Sequence, residues 1–263
     1  MGGGSYFERI GEHAFRPTAH AGGAWNPGEL HFSPLGGLLV HAIERHAADR
    51  SGPPLIISRI SFDILGFLAD DVCEVVVETI RPGRTIELVE ATLSIGGRVV
   101  TRARAWLLAS IDTSVVAGGE DQPLPSPEGL PSRDLTAEWV GGYIASIDVR
   151  MVASPHPGRG TAWLTSEVEL VAGEQAGALA SYVMLVDTAN GIATRESPTA
   201  WMFPNVDLTI HLHRQPGGRW VGLDTTVVFG ATGQGITSTV LHDIAGPVGR
   251  AHQQLTVRPM PSA

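Results

Sequence analysis

The chain has 263 residues, 43% hydrophobic and 17% charged, with a net charge of −9: enough for one large folded domain or two ordinary ones, which excludes a disordered chain. An acidic balance without a basic block gives no footing for a nucleic-acid partner, and the single cysteine, Cys73, excludes an internal disulfide framework and suits a reducing, cytoplasmic setting. No apolar run approaches the ~18 residues of a membrane span, and Met1-Gly2-Gly3-Gly4-Ser5 lacks the order of a signal peptide, so neither a membrane nor export is expected.

In chain order, Leu35, Leu38, Leu39, Ala42, Ile43 and His46 recur at helical spacing, with Ser33 as N-cap and Pro34 in the first turn. Extended, β-branched runs follow at 56–65, 72–80, 85–95 and 98–109, broken by the turn signals Pro82-Gly83 and Gly96-Gly97. Cys73 reads as a small apolar filler in one of these strands. Between 111 and 134 the periodicity fades, and Pro123, Pro125, Pro127 and Pro131 suit neither a helix nor a central strand. This is a linker, giving a first domain at 1–112, a Pro-rich linker at 113–133 and a second domain at 134–263.

Beyond the linker a strand at 161–170 precedes a second helix marked by Leu179, Tyr182, Val183, Val186 and Ala189. Strands then follow at 206–214, 219–229, 235–243 and 248–257, with turns at Pro216-Gly217-Gly218 and Ala245-Gly246-Pro247. The order matches the first half, and so do the residues. Shifted by 148 positions, Ile60-Ser61-Phe62-Asp63-Ile64-Leu65 falls on Leu208-Thr209-Ile210-His211-Leu212-His213, and Val100-Thr101-Arg102-Ala103 on Val248-Gly249-Arg250-Ala251. A repeat of this length is a duplicated domain. Each copy reads as α+β, a long helix wrapped by a curved antiparallel sheet.

That doubled architecture resembles the hot-dog fold, and the motifs resemble the acyl-CoA thioesterase superfamily in its double hot-dog form. The stretches that carry the resemblance are Ala24-Trp25-Asn26-Pro27 with His31, the run from Phe203-Pro204-Asn205 to Arg214, Asp243-Ile244-Ala245-Gly246, and Gly249-Arg250-Ala251-His252-Gln253-Gln254. Similarity to the bacterial acyl-CoA thioesterase II branch implies an Asp on the second helix, a Thr before the next strand and a Gln on the last strand, which together position and activate a water. These fall on Asp187, Asn205 and Gln253. Asn205 departs from the pattern, although an amide donates and accepts hydrogen bonds as a hydroxyl does. Side chains alternate along a strand, so Gln253 and its neighbour Gln254 face opposite ways and only one can serve. Position 39, which is 148 before Asp187, is Leu39, so the first domain is expected to be scaffold and acyl-pocket wall.

The resemblance implies hydrolysis of an acyl-CoA to free acid and CoA, a role in lipid metabolism, no cofactor or metal, and a homodimer of double hot-dog chains. Backbone donors near Gly36-Gly37 or between Gly173 and Gly177 are candidates for polarising the thioester carbonyl. Two other functions stay open. A non-catalytic acyl-thioester binding module fits the Asn205 departure, and a dehydratase or hydratase of the same fold would need an Asp/His pair at the start of a helix, which the sequence does not place together. Asp207, Thr209, His211 and His213 share one strand face, but two histidines from one strand do not complete a metal site, and His242 beside Asp243 reads as a surface residue.

Overall fold

A computed structural model describes residues 4–50, 52–119 and 121–261. The first half comprises β1 (Ser5–Arg9), β2 (Ala14–Pro17), α1 (Phe32–Ala48), β3 (Leu55–Ile64), β4 (Cys73–Arg81), β5 (Ile86–Ile95) and β6 (Arg98–Ala109). The rest comprises α2 (Gly142–Ala145), β7 (Ile147–Met151), β8 (Arg159–Ser166), β9 (Glu169–Val171), α3 (Ala178–Val183), α4 (Ala189–Ile192), β10 (Trp201–Met202), β11 (Asp207–Leu212), β12 (Val221–Phe229), β13 (Gln234–Asp243), β14 (Gly246–Thr256) and β15 (Arg258–Pro259). The class is α+β and dominated by sheet.

Among the described residues thirteen strands form one sheet in the order β7-β8-β12-β13-β14-β11-β3-β6-β5-β4-β2-β1-β9, while β10 and β15 pair separately. Read outward from the central β11–β3 pair, the two sides run in the same order, and the sequence shift explains it. Moving β4 and β5 along by 148 positions lands on β12 and β13, residue for residue at both ends. At the centre Ser61 pairs with Thr209, its own counterpart, flanked by Asp63↔Asp207 and Arg59↔His211. The halves are therefore related by an approximate twofold axis through that pair.

Helix α1 is more deeply enclosed than an amphipathic surface helix: every residue from Phe32 to His41 is buried. Its N-cap is His31, whose Nδ1 accepts from the Ser33 backbone N–H at 3.1 Å; Ser33 is not the cap but lies inside the first turn. Cys73 is buried and its thiol pushed up to about 12 by burial and the nearby Asp70 and Asp71 charges, as suits a packing residue.

The second half does not carry the expected long helix. Six residues of α3 give way to a 3₁₀ turn at Val186–Thr188 and then to the four residues of α4. The break falls where the Leu185 N–H bonds to Tyr182 O, three residues back, instead of four. Two β-branched valines, Val183 and Val186, lower the cost of leaving the helix, and the tightened turn carries Asp187. The Pro-rich stretch is an ordered strap along the second half: Pro125 O accepts from Trp163 Nε1 at 2.7 Å, Pro127 O from Arg150 at 3.1 Å, and Pro131 O from the Met151 N–H at 3.1 Å. Proline has no N–H to give, but its carbonyl still accepts.

Candidate active site

The three residues assigned by resemblance meet in space. Asp187, on the 3₁₀ turn, is buried. Asn205, just before β11, donates from Nδ2 to Asp187 Oδ1 at 2.8 Å, and Gln253, on β14, donates from Nε2 to the same oxygen at 2.8 Å. Asn205 also donates to Asp207 O at 3.0 Å, which fixes the amide's orientation. Gln254 is exposed and donates to Gly235 O, while its neighbour Gln253 faces inward, as alternation along a strand requires. The second oxygen, Oδ2, makes no hydrogen bond among the described residues. Burial pushes the Asp187 carboxyl up to about 7, against the opposing pull of the Asn205 and Gln253 hydrogen bonds.

Asp187 and Asn205 line a cleft of about 80 Å³ between the two halves. Ala24, Trp25, Glu29, His31, Phe32 and Leu68, all from the first half, form its other wall. Counterparts 148 positions earlier are apolar and buried throughout: Leu39 for Asp187, Ile57 for Asn205 and Ala105 for Gln253. Only one of the two twofold-related positions carries polar chemistry.

The sequence reading missed one neighbour. His31 and Asp187 lie far apart in the chain, yet His31 Nδ1 comes within 3.8 Å of Asp187 Oδ2. An Asp/His pair at a helix start therefore exists, assembled from opposite halves. It is not an ion pair: Nδ1 is occupied as acceptor from Ser33 N–H, and burial holds the imidazole down at about 3, so the ring is neutral. The ring stacks on Tyr143 with centroids 4.2 Å apart, and Tyr143 OH bonds Thr188 Oγ1 at 2.6 Å. The sequence offers His31 only within the stretch that carries the family resemblance, and nothing in it pairs the residue with Asp187.

Neither glycine run lines the cleft. Gly37 sits where a methyl group would come within 2.6 Å of Met184 Cβ, and Gly177 where one would meet the Glu44 carboxylate, so both serve close packing between elements. His242 is buried, not on the surface, and its carbonyl accepts from Tyr182 OH at 2.9 Å. Asp207 Oδ1 accepts from the Gln254 N–H at 2.6 Å. Among the described residues no group of three His, Cys, Asp or Glu side chains is placed to hold a metal, and no helix is long and apolar enough to cross a membrane.

Residues 21–108 match the model of the acyl-CoA thioesterase N-terminal domain, and residues 123–257 that of the acyl-CoA thioesterase C-terminal domain. The chain belongs to the acyl-CoA thioesterase family. Among solved structures it is similar to a candidate thioesterase from Novosphingobium aromaticivorans at 20% identity and TM-score 0.74, covering 95% of this chain and 98% of that one. The acyl-CoA thioesterase II TesB2 from Mycobacterium marinum is similar at 15% identity and TM-score 0.66, with 98% and 96% covered. A hot-dog-fold protein of unknown function from Alicyclobacillus acidocaldarius is similar at 14% identity and TM-score 0.74, with 98% and 96% covered. At such identities these structures establish the fold, a hot-dog fold. No curated protein sequence matches this acyl-CoA thioesterase family member.

Proposed function

We propose that the chain hydrolyses an acyl-CoA to free acid and CoA, with Asp187 as general base and Asn205 and Gln253 holding its carboxylate. One observation carries this reading: a buried carboxyl that lines a cleft, anchored through Oδ1 by two amides that leave Oδ2 outside those bonds, with a pKa near 7. A base with that pKa is half ionised at neutral pH, where proton transfer is most efficient. Oδ2 takes a proton from water as the water oxygen attacks the thioester carbonyl. The C–S bond then breaks and the proton passes to the departing thiolate. His31 and Phe32, at the positive end of the 17-residue α1, face the same cleft and favour the oxyanion. Released thiol, measured with a chromogenic disulfide over a panel of acyl-CoAs, tests this: turnover that Asp187→Asn removes is expected, and none with any acyl-CoA would leave an acyl-thioester binding module.

We read the architecture as two tandem hot-dog units, 1–112 and 134–263, joined by the Pro-rich linker at 113–133. The twofold-related register of β3 with β11 supports this. A homodimer is supported by Val76, Ile80, Ile86 and Val99, apolar and exposed on neighbouring strands β4, β5 and β6. The lone buried thiol of Cys73 supports a cytoplasmic enzyme, and the released acid a place in lipid metabolism.

The Asp187 and His31 pair favours a second reading, hydration or dehydration of an acyl-CoA. Against it, Nδ1 is already engaged and the ring stays neutral. Loss of enoyl-CoA absorbance without thiol release would decide for it.

A further inference from the structure

The space beside Asp187 ends against tryptophan. The cleft of about 80 Å³ shares Ala24, Trp25, His31 and Asn190 with an inner cavity of about 20 Å³. Leu135, Trp139, Ile144 and Thr188, all buried, wall that inner cavity together with Gly191. Trp25 meets Trp139 edge to face with ring centroids 5.0 Å apart, and Phe203 packs on both at 5.2 and 5.9 Å. Aromatic groups packed on one another in this way do not move aside without losing those contacts.

Gly191 is one of the residues lining the inner cavity. Its counterpart 148 positions earlier is Ile43, fully buried, so the first half fills with a side chain the place that the second leaves open. A methyl group on Gly191 would lie 3.8 Å from Trp139 Nε1, an ordinary contact with another residue of the same lining. A cavity of ~150 Å³ is what binds a benzene ring. The two spaces here are smaller even when taken together.

We infer that the substrate is a short acyl thioester, of roughly two to four acyl carbons, with Trp25 and Trp139 setting the chain-length limit and Gly191 admitting the last carbons. This rests on the hydrolase reading and narrows it to a substrate class. The thioester carbonyl sits in the cleft against Asp187, and the acyl end points past Asn190 to the tryptophan wall.

The test compares kcat/KM for acetyl-, butanoyl-, benzoyl-, octanoyl- and dodecanoyl-CoA in the full-length protein, Trp139→Ala and Gly191→Ala. The natural chain is expected to favour acetyl or butanoyl over octanoyl by about tenfold or more. Trp139→Ala should raise the octanoyl-to-butanoyl ratio by about tenfold, and Gly191→Ala should raise the acetyl-to-butanoyl ratio by a similar factor. Should Trp139→Ala fail to fold, Trp139→Leu replaces it, and Gly191→Ala introduces no contact closer than 3.8 Å. Fastest turnover on octanoyl- or dodecanoyl-CoA, or ratios that stay put in both variants, overturns the size limit and leaves the hydrolase standing. If no ester is turned over, the hydrolase reading fails by itself. Calorimetric titration of the same esters into Asp187→Asn then reads the limit directly, and tighter binding of dodecanoyl- than butanoyl-CoA overturns it.

Discussion

Gln253 Nε2 and Asp187 Oδ1 are 2.8 Å apart, joined across the gap between the last long strand and a broken helix. The bond fixes Oδ1 and so holds the carboxylate in place beside the cleft. Gln253→Ala removes one of the two donors to Oδ1, so the carboxylate is free to swing. The expected outcome is a fall in kcat of about 10- to 100-fold with KM little changed, since the amide touches the base and not the acyl group. Steady-state kinetics with the best acyl-CoA would check it, and an unchanged kcat would remove Gln253 from the site.

Asp187→Asn separates activity from stability. The carboxyl titrates near 7 in the folded chain against a usual 3.8, so the native state holds its proton more tightly than the unfolded one. Between those two values stability is lost as pH rises, to a total of at most about 4 kcal/mol above pH 7. Asparagine imitates the protonated form and still offers an oxygen to Asn205 and Gln253. The variant should therefore melt several degrees higher than the natural chain at pH 8 and close to it at pH 4, while thiol release disappears. Thermal unfolding at the two pH values is the measurement.

Asn205 tunes the same titration. Its Nδ2–H stabilises the ionised carboxylate, so losing it moves the Asp187 pKa further up. Activity in the natural chain should rise with pH through about 7. In Asn205→Ala the midpoint should move up by about one unit. Asn205→Thr keeps a donor and should keep the midpoint near its original place. A pH profile of kcat/KM that is the same in all three would show that Asp187 is not the base.

These outcomes also mark how far the sequence could be read. Most strands of both repeats were legible because β-branched runs between explicit turns leave little choice, and β6 was bounded to the residue at Arg98 and Ala109, whereas the run 161–170, expected as one strand, divides into β8 and β9 near opposite ends of the sheet. The second helix was not, because Leu179, Tyr182, Val183 and Val186 keep helical spacing through a turn that is not α-helical. Periodicity reports which side of an element is apolar, not whether its hydrogen bonds skip three residues or four. Short strands such as β1, β2 and β7 escaped notice because they carry too few residues to show alternation. Asp187, Asn205 and Gln253 were legible only through family likeness. His31 joins them through the packing of two halves, which no local pattern encodes.

Glu174 ties those halves together through charge. Arg9 of β1 donates to it from Nε at 2.5 Å and Nη2 at 3.0 Å, Arg45 of α1 donates at 3.0 Å, and His41 Nε2 lies at 3.1 Å. Arg9 above all holds the Glu174 carboxyl down at about 2, with burial opposing and His41 assisting. A folded-state value below the usual 4.5 means that the cluster stabilises the protein above pH 4.5 and that this stability drains away as pH falls toward 2. The side chains of Arg9 and Glu174 are partly open to solvent, which screens the gain to about 1 to 2 kcal/mol. Glu174→Gln should therefore unfold at lower denaturant than the natural chain at pH 7, and the difference should shrink by half or more at pH 3. Turnover should survive at pH 7, because the cluster lies apart from the residues lining the cleft.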